Sequence, residues 1–252
     1  MSPVRFALFA FSLLATGGLK ADTIHVAVAS NFAAPMKEIA SAFEQATAHK
    51  VVLSFASSGK LFAQINHGAP FEIFLSADQT KPNALVAAGL SPSDSQFTYA
   101  VGTLVLWSPA PDYFQAHAGD EILASGKFKR LALANPRLAP YGAAAAQTLE
   151  ALGIKESPDR KWILGENISQ TYQFVVSGNV DLGFVALSQV MTGDGAMEGS
   201  AWRVPEELYE PVRQDAVLLK RGEGSAAARE LLAYLRSPEA IAIIRRYGYE
   251  AD

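Results

Sequence analysis

Two serines, a glycine and a lysine stand together in Ser57-Ser58-Gly59-Lys60, and the group admits two chemistries. Ser57 and Lys60 are three residues apart, a spacing that can set a nucleophilic hydroxyl beside a base. Ser58, Gly59 and the N–H groups that open the next helix could instead donate hydrogen bonds to an oxyanion. The first N–H groups of a helix have no intrahelical acceptor, and the positive end of its dipole favours negative charge. Three other turns offer comparable donors: Ser30-Asn31, Pro140-Tyr141-Gly142 and Asn167-Ile168-Ser169.

The elements around these turns decide whether they can meet. Ile24–Ala29 alternates as a strand and ends at Ser30-Asn31, and Met36, Ile39, Ala40 and Phe43 then recur at helical spacing. Val51–Phe55 reads as the second strand, Leu61, Phe62 and Ile65 as the helix after it, and Phe71–Leu75 as the third strand, followed by a helix at Asn83–Ala88. Phe97–Trp107 reads as one long strand whose Gly102 lets it leave one sheet for another. A second β-α-β-α-β run follows: a strand at Leu131–Ala134, a helix at Tyr141–Leu152, a strand at Trp162–Leu164, a helix to Gly178 and a strand at Val180–Val185. Pro211–Leu219, Ser225–Leu235 and Pro238–Tyr247 return the chain to the first unit. The pattern predicts an α/β protein of two lobes, each a doubly wound, mostly parallel sheet with helices on both faces. Lobe 1 takes residues 22–104 and 208–252, and lobe 2 takes 105–207. Ligands of such sheets bind beyond the carboxyl ends of the strands, where all four turns fall, so a site is expected in the cleft between the lobes.

The first residues are read apart. Arg5 precedes the apolar run Phe6–Leu14 and then Ala15-Thr16-Gly17-Gly18. The run is too short for the ~20 residues of a membrane span, and 1–21 is expected to be a secretory signal peptide cut near Ala21. Removing it takes away two cations, Arg5 and Lys20, and no acid, so the formal charge moves from −4 to −6. An acidic exported chain is poorly suited to nucleic acid or anionic membranes. There is no cysteine, which excludes disulfides, thiolate metal sites and a lipidated N-terminal cysteine. The expected protein is therefore free in a periplasm and monomeric.

The catalytic reading has little else behind it. Ser57-x-x-Lys60 is a spacing of penicillin-recognising serine enzymes, and Ser177-Gly178-Asn179 could pass for their second serine motif, but no Lys-Thr-Gly, Lys-Ser-Gly or Gly-x-Ser-x-Gly occurs. His25, His49, His67 and His117 lack ligand spacing. No catalytic residues are assigned. An organic acid would call for an arginine clamp, and none stands at the four turns. Sulfate or another tetrahedral oxyanion remains an alternative ligand.

The blocks Ala27-Val28-Ala29-Ser30-Asn31-Phe32, Ser54-Phe55-Ala56-Ser57-Ser58-Gly59 and Gly68-Ala69-Pro70-Phe71-Glu72-Ile73-Phe74-Leu75-Ser76-Ala77-Asp78 resemble the periplasmic molybdate-binding proteins of ABC transporters. The likeness continues through Ala134-Asn135-Pro136, Gly165-Glu166-Asn167-Ile168, Leu182-Gly183-Phe184-Val185 and Arg246-Tyr247-Gly248-Tyr249. It implies a type II binding-protein fold that closes on molybdate or tungstate, with an inner-membrane permease and its cytoplasmic ATPase as partners. It also implies no cofactor and no protein ligand to the metal, because molybdenum is held through its oxygens. By motif position, Ser30 and Ser58 correspond to hydroxyl and backbone donors of the first lobe, with Asn31 as a further amide donor. Tyr141 and Ile168 correspond to backbone N–H donors of the second lobe. Where many members carry a tyrosine after Gly-Ile-Val, this chain reads Gly183-Phe184-Val185-Ala186, and the Tyr141 hydroxyl is expected to refill the gap.

Overall fold

A computed structural model describes residues 21–159 and 161–251. The expected leader, residues 1–21, lies outside the described residues except for Ala21. The first sheet draws on five strands, β1 (Thr23–Ala29), β2 (Lys50–Ala56), β3 (Ile73–Leu75), β4 (Phe97–Gly102) and β10 (Val212–Leu218). The second contains β5 (Leu104–Ser108), β6 (Arg130–Ala134), β7 (Lys161–Gly165), β8 (Leu182–Ala186) and β9 (Ser200–Arg203). Their orders are β2-β1-β3-β10-β4 and β7-β6-β8-β5-β9.

Each sheet has a parallel core of three strands, β2-β1-β3 and β7-β6-β8, as alternating strands and helices require. Beside each core lies one antiparallel strand, β10 in the first sheet and β5 in the second. Both are strands on which the chain arrives from the other sheet. The expected single strand Phe97–Trp107 is two: β4 ends at Gly102, Thr103 intervenes, and β5 begins at Leu104. Residues 204–211 carry the return between β9 and β10. Strand β9 was not expected, because Ser200–Arg203 holds only two apolar residues and no strand alternation beyond them.

Helices cover both faces of each sheet. On the first, α1 (Ala33–Thr47), α8 (Ala226–Tyr234) and α9 (Pro238–Arg246) bury Met36, Ile39, Phe43, Leu231 and Ile244 against Ile24, Val26 and Val28. The other face carries α2 (Ser58–Asn66) and α3 (Thr80–Ala87), with Leu61, Ile65 and Leu85 on Ala27, Phe74 and Val217. In the second lobe α4 (Gly119–Ser125) and α5 (Pro140–Ala151) cover one face of the sheet. The other carries α6 (Ile168–Val176) and the short α7 (Leu187–Val190). β1 is buried along most of its length because helices sandwich it, which is why its apolar residues run on rather than alternating strictly. No helix among the described residues is long and apolar enough to cross a membrane.

Candidate functional site

Four parallel strands end where four helices begin. β1 stops at Ala29, and a single 3-10 turn, Ser30–Phe32, leads into α1. β2 stops at Ala56, and Ser57 caps α2 by accepting the Lys60 N–H on Oγ at 3.4 Å. β6 reaches α5 through an extended Ala139, and Pro140 opens the helix. Proline has no N–H, so the first one that α5 presents belongs to Tyr141. β7 reaches α6 through Asn167, whose Oδ1 accepts the Gln170 N–H at 3.0 Å, and Ile168 follows.

These termini converge. Ser30, Asn31, Ser58, Tyr141 and Ile168 line one cavity of about 10 Å³ together with Ser57, Pro140 and three alanines. Each of the five is at most 6 % exposed. Pockets for organic ligands run to roughly 300–1,000 Å³, whereas one water already needs about 10–15 Å³, so the closed enclosure is far too tight for an organic ligand. No lysine, arginine, aspartate or glutamate is in the lining. Its polarity comes from neutral hydroxyls and from N–H groups at helix ends.

The atoms at hand differ from those the sequence suggests. Ser58 Oγ accepts the Ala77 N–H at 2.9 Å, which fixes the oxygen and leaves its hydrogen to donate. The Ser30 hydroxyl makes no hydrogen bond to another described residue, while the Ser30 carbonyl accepts the Ser169 hydroxyl at 3.1 Å. Asn31 was expected to lend its amide, but Nδ2 donates to Gln214 Oε1 at 2.7 Å and to the Tyr249 hydroxyl at 2.9 Å. Both amide hydrogens are thus engaged by protein partners, and the Asn31 backbone N–H is the donor left to consider. The Tyr141 hydroxyl, expected to refill the place left by Ala186, also has a protein partner. It accepts from Gln214 Nε2 at 3.3 Å and neighbours the Tyr249 hydroxyl. Ile168 has only its N–H to offer, since its carbonyl accepts from Gln189 Nε2 at 3.2 Å.

Burial, then the neighbouring Tyr249 and Tyr99, hold the Tyr141 hydroxyl well above the usual tyrosine range. Burial pushes Tyr249 up to about 12. Both rings therefore stay neutral behind the cavity and add no negative charge that would repel an anion.

Contacts across the cleft hold the lobes closed. The Gly59 N–H, a candidate donor by sequence, is taken by the Leu138 carbonyl at 2.9 Å. Ser188 Oγ donates to the Asn31 carbonyl at 2.9 Å. Lys60 Nζ lies 3.2 Å from Glu166 Oε1 on the opposite lobe, both side chains about half exposed. A lysine so paired is no base for Ser57, whose oxygen already caps its own helix. Gln214, Tyr249 and Ser188 have no place in the motif reading of the site. Their one legible sign is Gln214-Asp215, two polar residues in the middle of a strand that are both buried, unlike the exposed Arg213 before them.

The sequence profile of the family described as bacterial extracellular solute-binding protein matches residues 24–250. The chain is 50% identical over 230 residues to the molybdate-binding protein ModA of Azotobacter vinelandii, covering 91% of this chain and 90% of that one. It is 46% identical over 233 residues to the molybdate-binding protein ModA of Rhodobacter capsulatus, covering 92% and 90%. Among solved structures, an Azotobacter vinelandii periplasmic molybdate-binding protein superposes with a TM-score of 0.86 at 36% identity, covering 91% of this chain and 99% of that one.

Proposed function

The chain belongs to the bacterial extracellular solute-binding proteins, and from that membership we propose that its cleft binds molybdate as the tetrahedral dianion and delivers it to an ABC transporter. The observation that carries the reading is the convergence of four helix-opening turns, two from each lobe, on a small cavity without a charged side chain. The relatives named for molybdate binding cover nine-tenths of the chain and support the same ligand. The protein is a binding protein and not an enzyme; the Ser57 and Lys60 side chains act separately, one as a helix cap and one as an ion-pair partner.

In this reading Ser30 and Ser58 give hydroxyl hydrogens, and Asn31, Tyr141 and Ile168 give backbone N–H groups. Charge-assisted hydrogen bonds contribute about 1.5–3 kcal/mol each, and each helix end about 0.3–1 kcal/mol. Three or four good bonds reach the ~8 kcal/mol of micromolar binding after the cost of ordering. The absence of a cation sets the selectivity. A lysine or arginine attracts any anion, whereas donors fixed on two rigid lobes favour one size and shape. With no carboxylate in the lining to accept a hydrogen, a fully deprotonated oxyanion is preferred over protonated phosphate. Tungstate has the same charge and shape and binds alike, while sulfate is smaller and leaves the donors stretched. No cofactor takes part, and the metal arrives inside its own shell of oxygens.

The protein is exported by its N-terminal leader, works as a monomer in the periplasm, and meets a membrane permease coupled to a cytoplasmic ATPase. Isothermal titration of the mature chain with molybdate, tungstate, sulfate and phosphate tests the ligand. One equivalent of molybdate or tungstate is expected to bind at micromolar affinity or tighter. Heat from sulfate with none from molybdate overturns the reading.

A further inference from the structure

Behind the cavity a single buried amide contacts a cavity residue from each lobe. Gln214 is fully buried on β10, beside a bulge in its pairing with β4. Gln214 faces Ala100 and Asp215 faces Thr98, which leaves Tyr99 as the extra residue between them. Gln214 Oε1 accepts from Asn31 Nδ2 at 2.7 Å and lies 3.1 Å from the Tyr99 hydroxyl, while Nε2 reaches the Tyr141 hydroxyl at 3.3 Å. A glutamine amide can do this because it carries acceptor and donor on one planar group. Space for the contact comes from Gly102. A Cβ there would stand 1.9 Å from the Tyr141 hydroxyl oxygen and 2.7 Å from Gln214 Nε2.

We propose that Gln214 is a positioning residue for oxyanion capture, joining Asn31 of the first lobe to Tyr141 of the second and thereby prolonging the closed, ligand-holding state. Asn31, Tyr99 and Gln214 all belong to the first lobe and keep their contacts however the cleft stands. Tyr141 travels with α5 of the second lobe, so its bond to Gln214 is one that closure adds. A contact made only in the closed state stabilises that state and slows escape. It does little for the first encounter of the anion with an open cleft. The inference rests on the oxyanion reading above.

The test measures association and dissociation rates of molybdate by stopped-flow fluorescence, at a temperature far below the thermal transition. Gln214→Met keeps the length of the side chain and removes both hydrogen-bonding functions. Tyr141→Phe removes the hydroxyl and keeps the backbone N–H. Gly102→Ala leaves both partners in place but drives them apart, and it carries the test if Gln214→Met does not fold. Each is expected to speed release about tenfold, the loss of one buried hydrogen bond, with association changed by no more than about twofold. Gln214→Met combined with Tyr141→Phe should release more slowly than the product of the two single effects, because the bond between them is lost in both. A merely structural glutamine would lower the melting temperature and leave the release rate alone, and that result overturns the proposal, as do fully additive losses or a fall confined to association. If the unaltered chain binds sulfate and not molybdate, the molybdate reading fails, and the same rates measured with sulfate test Gln214.

Discussion

Ser58 Oγ has two tasks. It accepts the buried Ala77 N–H at 2.9 Å, and in the proposed site it donates its hydrogen to the anion. Replacing Ser58 by alanine therefore removes a ligand donor and also orphans a buried N–H, each costing about 1–3 kcal/mol. Ser58→Ala is expected to weaken molybdate binding roughly 5- to 150-fold by titration and to lower the stability of the free protein in urea. Unchanged affinity would remove Ser58 from the site. At this scale the sequence pointed to residues better than to atoms. Ser30, Asn31, Ser58, Tyr141 and Ile168 do share one cavity, but the Asn31 amide and the Tyr141 hydroxyl are engaged by protein partners. Which atom of a residue meets a ligand depends on what else competes for it, and the competitors, Gln214 and Tyr249, are remote in sequence.

The opening turn of α2 shows the same limit for an element. The strand, the polar turn and the helix start were all legible between Val51 and Ile65, because local hydrogen-bonding residues and apolar spacing determine them. The partner of the Gly59 N–H was not, since Leu138 lies in the other lobe. An added Cβ at Gly59 would stand 2.9 Å from the Leu138 carbonyl oxygen and 3.1 Å from its Cα, backbone that cannot swing aside. Alanine also favours the helix over glycine by up to about 1 kcal/mol. Gly59→Ala is therefore expected to leave the melting temperature of the unliganded protein unchanged or higher while cutting molybdate affinity by tenfold or more. A variant that binds as tightly as the parent would mean that closure does not bring these backbones together. The division of Phe97–Trp107 into β4 and β5 has a similar origin. Apolar alternation records that a segment is extended, and it does not record which sheet receives it.

Across the whole molecule, Tyr99, Tyr141 and Tyr249 place three buried hydroxyls where the lobes meet, and burial is the first cause of the raised pKa of each. An unfolded chain gives up a tyrosine proton near pH 10, whereas the folded protein keeps it, to about 12 at Tyr249. The stability linked to these groups is fully present below about pH 10 and is lost as pH rises above it, at roughly 1.4 kcal/mol per pH unit for each tyrosine. Urea midpoints are expected to stay level through neutral pH and fall steeply above about pH 10, with a shallower fall in Tyr249→Phe. An equally steep fall in that variant would show that Tyr249 ionises as freely folded as unfolded. The order of elements along the chain specified two α/β units with donor-rich turns at the ends of parallel strands, and charge with the lack of cysteine narrowed what they could bind. Those properties are local or compositional, and a single strand or helix already carries them. The tertiary structure decided that the turns face one another and that Gly59 and Lys60 bridge the cleft. It also decided that Gln214 ties Asn31 to Tyr141 across 183 and 73 residues of chain, because such contacts exist only once the two sheets have folded and closed.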